Sequence, residues 1–252
     1  MRSYDSEMRA DPPSEPGQRI DRAGGVVRTC GSYNTIVYSS FDAAHAERVV
    51  AEQAAYFTQL GEDVEWKLYS HDTPANLSFV LASHGFERGE HETLMVLPLS
   101  AATTDAERPA DVSIRAVASA RDLTTYVDVA TAAFGKQPKW SAEEFGRRLF
   151  GPGADTIAFI AYVDAEPAAA GRLELPSGRS FASIWGGGTV PSLRGRGVYR
   201  ALVLERARLA RERGYRYVTV DALETSRPIL ERLGFAPAAT IHAWVLTGKR
   251  PA

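Results

Sequence analysis

The stretch that most constrains this chain is residues 185–200, Trp-Gly-Gly-Gly-Thr-Val-Pro-Ser-Leu-Arg-Gly-Arg-Gly-Val-Tyr-Arg, followed by an amphipathic run to Arg213. It reads as a strand, a glycine-rich turn and a helix. The turn Arg194-Gly195-Arg196-Gly197 falls where the helix begins. The unpaired backbone N–H groups of the first helical turn and the positive end of the helix dipole therefore converge on one spot. Glycines let a ligand approach that backbone closely, which makes the spot suited to a phosphate or pyrophosphate. Two common phosphate loops are absent. There is no Gly-x-x-x-x-Gly-Lys-Ser/Thr, and Gly-x-Gly-x-x-Gly fails because position 200 is Arg.

Around this stretch the chain divides by composition. Residues 1–24 are polar, with Pro12, Pro13, Pro16 and Gly17, and are expected to form a disordered tail because they carry too little apolar surface to offset ordering entropy. Residues 25–99 follow an α/β pattern: strands at 34–39, 64–70 and 91–97, and helices at 43–60 and 74–84, stopped by Gly61 and Gly85. Residues 100–110, small, polar and Pro-containing, are the expected linker. The second unit, 111–248, opens with a strand at 112–117. Two helices follow, each with a capping signal, Ser119 with Asp122 and Ser141 with Glu144. Strands at 156–163 and 168–175 flank a hairpin at 164–167, and a third strand from Ser180 meets Gly186-Gly187-Gly188. The glycine-rich turn and its helix come next, then a strand at 215–221, a short helix at 225–233 and a last strand at 240–246.

Arg194-Gly195-Arg196-Gly197-Val198-Tyr199, preceded by Val190-Pro191, resembles motif A of the GNAT superfamily of N-acetyltransferases, and the order β-α-α-β-β-β-α-β-α-β over 111–248 is similar to that family's complete fold. Tyr199 departs from the pattern by standing where the family usually has Gly or Ala. The resemblance implies an α/β fold with a mixed central sheet flanked by helices. It also implies acetyl-CoA as acyl donor and transfer of the acetyl group to a primary amine of a small molecule or peptide in a ternary complex. Carried over residue by residue, cofactor contact is expected at Gly188, Thr189, Val190, Arg194, Gly195, Arg196, Gly197, Val198, Tyr199, Arg200 and Ser226. The N–H groups of residues 188–190 are the expected donors to the acyl oxygen. In this family a bulge in the fourth strand splays it from the fifth, and the glycine triplet is the candidate for it; a flexible loop is the plain alternative. The tyrosine that usually serves as acid is replaced by Leu230, with a water, Ser226 or Tyr199 as substitutes. Glu174, Asp221 and Glu224 are base candidates or solvated carboxylates, and no catalytic residue is assigned. Ser226 is as well explained by a helix cap, and Trp140 and Trp185 by either an acceptor pocket or the core. A non-catalytic acyl-CoA-binding sensor or interaction module is the alternative function.

An internal repeat is visible. Gly85-Phe86 and Gly234-Phe235 each follow a short helix and precede a strand, and the same interval pairs Leu81 with Leu230, Asp72 with Asp221 and Val96-Leu97 with Val245-Leu246. At that interval the glycine-rich turn falls on His45, Ala46, Glu47 and Arg48. Residues 25–99 therefore read as a truncated, degenerate GNAT-like half-domain that lacks room for the family's first three strands.

The remaining features exclude more than they assign. The net charge of −2 gives no drive towards nucleic acid or anionic membranes. The arginines Arg200, Arg206, Arg208, Arg211 and Arg213 alternate with Glu205 and Glu212 as on a solvated helix, so no nucleic-acid partner is expected. With Cys30 alone there is no internal disulfide, and the five histidines lack metal-ligand spacing, so no metal is expected. No apolar run suits a membrane span and the amino terminus lacks the apolar core of a signal peptide, which together imply a cytoplasmic protein. The sequence leaves the oligomeric state open.

Overall fold

The computed structural model describes residues 1–100, 108–138 and 140–248, in two compact units. The first comprises Met1–Leu94, Ala222–Glu224 and the described residues from Pro237 on. Its elements are a helical turn α1 (Arg2–Tyr4) running on as a π-helical turn (Asp5–Ala10), strands β1 (Arg19–Ala23), β2 (Val26–Cys30) and β3 (Thr35–Ser39), helix α2 (Ala46–Leu60), strand β4 (Val64–Tyr69), helix α3 (Leu77–Ser83) and strand β5 (Glu87–Pro98, divided after Leu94). The second unit comprises the described residues of Met95–Asp221 and Thr225–Ala236. It holds strand β6 (Val112–Ala116), helices α4 (Ala120–Phe134) and α5 (Ala142–Phe150), and strands β7 (Thr156–Val163), β8 (Glu166–Glu174) and β9 (Phe181–Thr189). Helix α6 (Val198–Glu212), strand β10 (Tyr217–Ala222) and helix α7 (Arg227–Arg232) complete it. The last strand, β11 (Ala236–Leu246), belongs almost wholly to the first unit.

In the first unit the strands lie in the order β1-β2-β3-β4-β11-β5. Trp66, fully buried, is central to its core and meets Phe86 edge-on at 6.1 Å. β3 and β4 are parallel and joined through α2, which ends at Gly61 with φ +66°. β11 runs antiparallel to β4, with Trp244 opposite Trp66. The expected boundary near 100–110 is therefore not where the compact units part, and the expected 111–248 domain contributes its last strand to the first unit. Residues 101–107 of the expected linker lie outside the described residues.

Residues 1–24 are not a disordered tail. β1 and β2 form a hairpin around Gly24-Gly25, whose φ values of +61° and +87° suit a type I′ turn. The Gly-Gly pair between Arg19–Ala23 and Val26–Cys30 is the signal that composition masked. What holds the residues before it is Arg9, only 2% exposed. Its guanidinium donates to both Asp72 carboxylate oxygens (2.9 and 2.7 Å), to Asp5 Oδ1 (2.7 Å) and to the Val37 carbonyl (3.0 Å), and lies 3.7 Å from the Tyr69 ring centroid. A buried ion pair with this many hydrogen bonds orders a segment that apolar burial alone cannot.

The second unit has strand order β10-β9-β8-β7-β6, antiparallel except for β9 and β10. Both predicted caps are present. Ser119 Oγ accepts from the Asp122 N–H at 3.2 Å, and Ser141 and Glu144 form a reciprocal capping box. Asp164 and Ala165, at φ +48° and +69°, turn β7 into β8 where the hairpin was expected. Gly187 faces Tyr199 and Arg206 of α6, whereas Gly188 faces Ala133 and Phe134 of α4. Neighbouring strand residues point to opposite faces, so α4 and α6 cover opposite sides of the sheet.

Removal of the Arg9 side chain leaves the Asp72 carboxylate, 4% exposed, without its counterion. Arg9→Ala is expected to destabilise the first unit by about 3 kcal/mol in urea unfolding. It is also expected to open Arg19 and Arg22 to rapid trypsin cleavage; a variant as resistant as the parent would show that the segment is held by something else.

Candidate active site

The site begins with an interruption in the sheet. Ala170 of β8 faces Gly188 of β9, and Arg172 faces Trp185, so Gly171 alone opposes both Gly186 and Gly187. The extra residue is a β-bulge, with Gly186 at φ +58°. On its other edge β9 pairs in parallel with β10 only from Phe181↔Tyr217 to Ser183↔Thr219, although β9 runs on to Thr189. The strands thus part beyond Ser183, and the glycine triplet lies inside the strand rather than in a loop. Glycine is required here by close approach. A Cβ on Gly188 would lie 2.9 Å from the Phe134 ring, and one on Gly187 would lie 3.0 Å from both the Tyr199 ring and Arg206.

Past the end of β9, a 3-10 turn (Pro191–Leu193) leads into the glycine-rich turn. Arg194 is exposed yet folded back: Nε donates to the Thr189 carbonyl at 3.1 Å and Nη2 to the Ala133 carbonyl at 3.1 Å. It ties the turn to the end of β9 and to α4. Arg196 Nη2 reaches Asp111 Oδ2 at 2.6 Å. Gly195 and Gly197 sit at φ +78° and +75°, and a Cβ on Gly195 would meet nothing within 4 Å. Helix α6 starts at Val198 with Gly197 as N-cap, no side-chain cap and no acidic residue in its first turn. Val198 is buried and Arg200 exposed. The first-turn N–H groups have no acceptor within the helix itself.

Several expectations need revision. The Val190 N–H is committed to the Ala168 carbonyl at 2.9 Å, which removes it from the candidate donors to an acyl oxygen. Ser226 precedes α7 without capping it through its side chain. It lies near the Tyr199 phenol, whose pKa burial pushes up although Arg206 and Ser226 act the other way. The Tyr199 ring therefore turns away from the glycine-rich turn. It reaches from Gly187 on β9 to Ser226 beyond the end of β10, across the place where these strands part. Leu230 is fully buried, so its position offers no acid. Burial pushes the Glu174 carboxyl up, but Arg172 and Arg148, at 2.9 and 2.8 Å, outweigh this and hold it below its usual range. It is a structural anion. Glu224 falls in the first unit, paired with His91 at 3.1 Å, and Asp221 stands near the end of β10. Trp140 packs half-buried against the core, 4.3 Å from Phe145 between ring centroids, and Trp185 is half-buried with Nε1 donating to Ser183 Oγ at 2.8 Å.

The sequence reading missed Arg206. It is 1% exposed, not part of a solvated helix face. Its Nε donates to the Leu202 carbonyl (3.0 Å) and Nη1 to the carbonyls of Arg172 (3.1 Å) and Trp185 (3.4 Å), the residue pair bordering the bulge. The signal was present: Leu202, Val203, Arg206, Ala207 and Ala210 share one helical stripe, and Arg206 stands in its middle. A Cβ on Gly171 would lie 2.8 Å from Arg206 Nη1. Gly171→Ala must therefore displace a buried guanidinium and is expected to cost about 1–3 kcal/mol in thermal unfolding, with an unchanged midpoint as the contrary result.

With this geometry in view, likeness to known proteins is informative. Residues 124–235 match the acetyltransferase (GNAT) family. The N-acetyltransferase Eis of Mycobacterium bovis is 33% identical over 93 residues, 36% of this chain and 21% of that protein; the Mycobacterium tuberculosis counterpart is 32% identical over the same length. The chain thus spans about a fifth of the length of the curated relatives it matches. Among solved structures, a GCN5-related N-acetyltransferase from Kribbella flavida superposes with a TM-score of 0.71 at 20% identity, covering 91% of this chain and 90% of that one. A tandem GNAT protein from the clavulanic acid biosynthesis pathway superposes with a TM-score of 0.65 at 15% identity, covering 95% and 86%. The family match spans the bulged strand, the glycine-rich turn and α6, so it is the second unit that is similar to the GNAT acetyltransferase family.

Proposed function

We propose that the second unit binds acetyl-CoA and transfers its acetyl group to a primary amine of a small molecule or peptide by direct attack in a ternary complex. The observation that carries this reading is the pairing of an uncapped α6 amino terminus with a β9 that parts from β10 at a glycine bulge. The first feature suits the pyrophosphate, through convergent N–H groups, the helix dipole and open space at Gly195. The second suits a slender chain entering between the strands, with its reactive end beside Gly188. Gly188, Thr189, Val190, the turn from Arg194 to Gly197, and Val198, Tyr199, Arg200 and Ser226 are the proposed cofactor contacts. Of these, Arg194 acts through the loop conformation it fixes.

When bound, acetyl-CoA supplies the acyl group, and the chain's own residues orient it and manage protons. With Leu230 buried, the proton for the departing thiolate is assigned to Tyr199. Burial keeps its phenol protonated at neutral pH. The first unit repeats part of the second. A parallel strand pair joined by a helix, then a short helix, occurs as β3-α2-β4-α3 and as β9-α6-β10-α7. The first copy has Ala46 and Arg48 where the second has Gly195 and Gly197. We assign residues 25–99 to a degenerate GNAT-like half-domain without a cofactor site.

Saturating acetyl-CoA, at about a hundred times its dissociation constant, is expected to stabilise the protein by roughly 2.7 kcal/mol, and an amine screen is expected to accelerate release of free CoA. A thermal shift without turnover would favour the non-catalytic acyl-CoA sensor. Given turnover, Tyr199→Phe is expected to lower kcat about 100-fold with little change in acetyl-CoA affinity; an unchanged kcat would remove Tyr199 as the proton donor.

The pyrophosphate site is tested at Gly195. Asn and Asp both tolerate its left-handed backbone and are nearly the same size, so they differ in charge alone. By calorimetry at low salt, Gly195→Asp is expected to bind CoA at least about tenfold more weakly than Gly195→Asn, with the gap narrowing as salt screens the charge. Equal affinities would place the cofactor phosphates elsewhere.

A further inference from the structure

Among the described residues, the charge beneath the bulge has no counterion. Arg206 projects from α6 against Gly171 and Gly187, and no carboxylate pairs with it among the described residues. Three carbonyls accept from Nε and Nη1, while Nη2 is buried without a hydrogen-bond partner. The neighbouring ionisable groups that influence it are Tyr199, Tyr126 and Arg172. Burial, with Arg172 adding to it, brings the guanidinium down to about 10, so it remains cationic at neutral pH. Both tyrosines are held protonated by their own burial and contribute no negative charge. An isolated buried cation is costly, and an apolar side chain of similar size would fill the same volume. Packing does not explain why the fold bears it.

The position of Arg206 offers an explanation. Its Nη1 donates to the carbonyls of Arg172 and Trp185, where the bulge interrupts the β8–β9 ladder, so a charged donor staples the strands at the break. Its Nη2 faces Gly187 beside the Tyr199 ring. In a site shielded from water, a fixed positive charge favours any step that builds negative charge nearby. Acyl transfer does so twice, first on the carbonyl oxygen beside β9 and then on the departing thiolate near Tyr199.

We propose that Arg206 is a positioning residue for acyl transfer, holding the Gly186-Gly187 bulge in shape and setting a positive field at β9 and the Tyr199 phenol that stabilises the charge developed during reaction. This rests on the transferase reading above. Arg206 need not touch either substrate, and its contribution belongs to the reaction step rather than to binding.

Three variants separate charge from scaffolding: Arg206→Lys keeps the charge, Arg206→Gln keeps amide donors without charge, and Arg206→Met keeps only bulk. Steady-state release of CoA is measured with the best amine, alongside thermal shifts with acetyl-CoA. Arg206→Gln and Arg206→Met are expected to lose about 100-fold in kcat, with KM for acetyl-CoA changed by less than about tenfold, while Arg206→Lys retains at least about a tenth of kcat. A scaffolding role alone would instead leave Lys no better than Gln, with acetyl-CoA binding lost in step with kcat. That pattern, or a kcat for Arg206→Gln near the parent's, overturns the proposal and leaves the transferase reading intact. A parent protein that binds acetyl-CoA but releases no CoA with any amine overturns both. If Arg206→Met fails to fold, the Lys–Gln comparison decides.

Discussion

The second unit depends on a broken hydrogen-bond ladder. A sheet gains its stability from continuous pairing, yet β9 gives this up on both edges. Towards β8 it carries an additional residue at Gly186-Gly187, and towards β10 its pairing ends at Ser183. Other features follow from that interruption. Glycines occupy the bulge because Tyr199, Arg206, Ala133 and Phe134 press on it from both faces. Arg206 bonds the carbonyls at the break, and the Tyr199 ring spans the parting strands. Backbone polar groups taken out of a ladder must find other partners, so a site built from an opened sheet requires polar side chains in what would otherwise be an apolar layer.

The glycine-rich turn is organised by the same region. Arg194 looks like an anion ligand in the sequence, but its guanidinium bonds the carbonyls of Thr189 and Ala133. It fixes the path of the chain from the bulged strand into α6 and aligns that helix's amino terminus. The electrostatics at the turn then come from backbone N–H groups, with exposed Arg200 beside them. Affinity for a pyrophosphate would depend more on the conformation of this loop than on the number of arginines in it.

The first unit illustrates a different balance. Its core of Trp66, Phe57, Phe86 and Ile36 is ordinary, but its first residues are held by one buried guanidinium shared among Asp72, Asp5 and the Val37 carbonyl. Charge-assisted hydrogen bonds do there what apolar area does elsewhere. In each unit a buried arginine shapes the local structure: Arg9 is compensated by carboxylates, whereas Arg206 has none among the described residues.

Most secondary structure and the fold family were legible in the sequence, because helical and strand periodicity, the caps at Ser119 and Ser141, and the turn from Arg194 to Gly197 are local properties. The sequence also shows Leu230, which can donate no proton, where the family resemblance implies an acid. What escaped it was non-local. Composition suggested that residues 1–24 could not order, because Arg9 and Asp72 are far apart in the chain and nothing in the sequence pairs them. Arg206 read as one more surface arginine, because its neighbours in sequence are charged while its neighbours in space are glycines and carbonyls. The grouping of β11 with β4 was equally hidden, since strand order is set by which edges meet after folding. Local sequence determined the elements and the anion-suited turn; tertiary structure decided which charges were buried, and with what partners, because desolvation depends on everything that packs around a group.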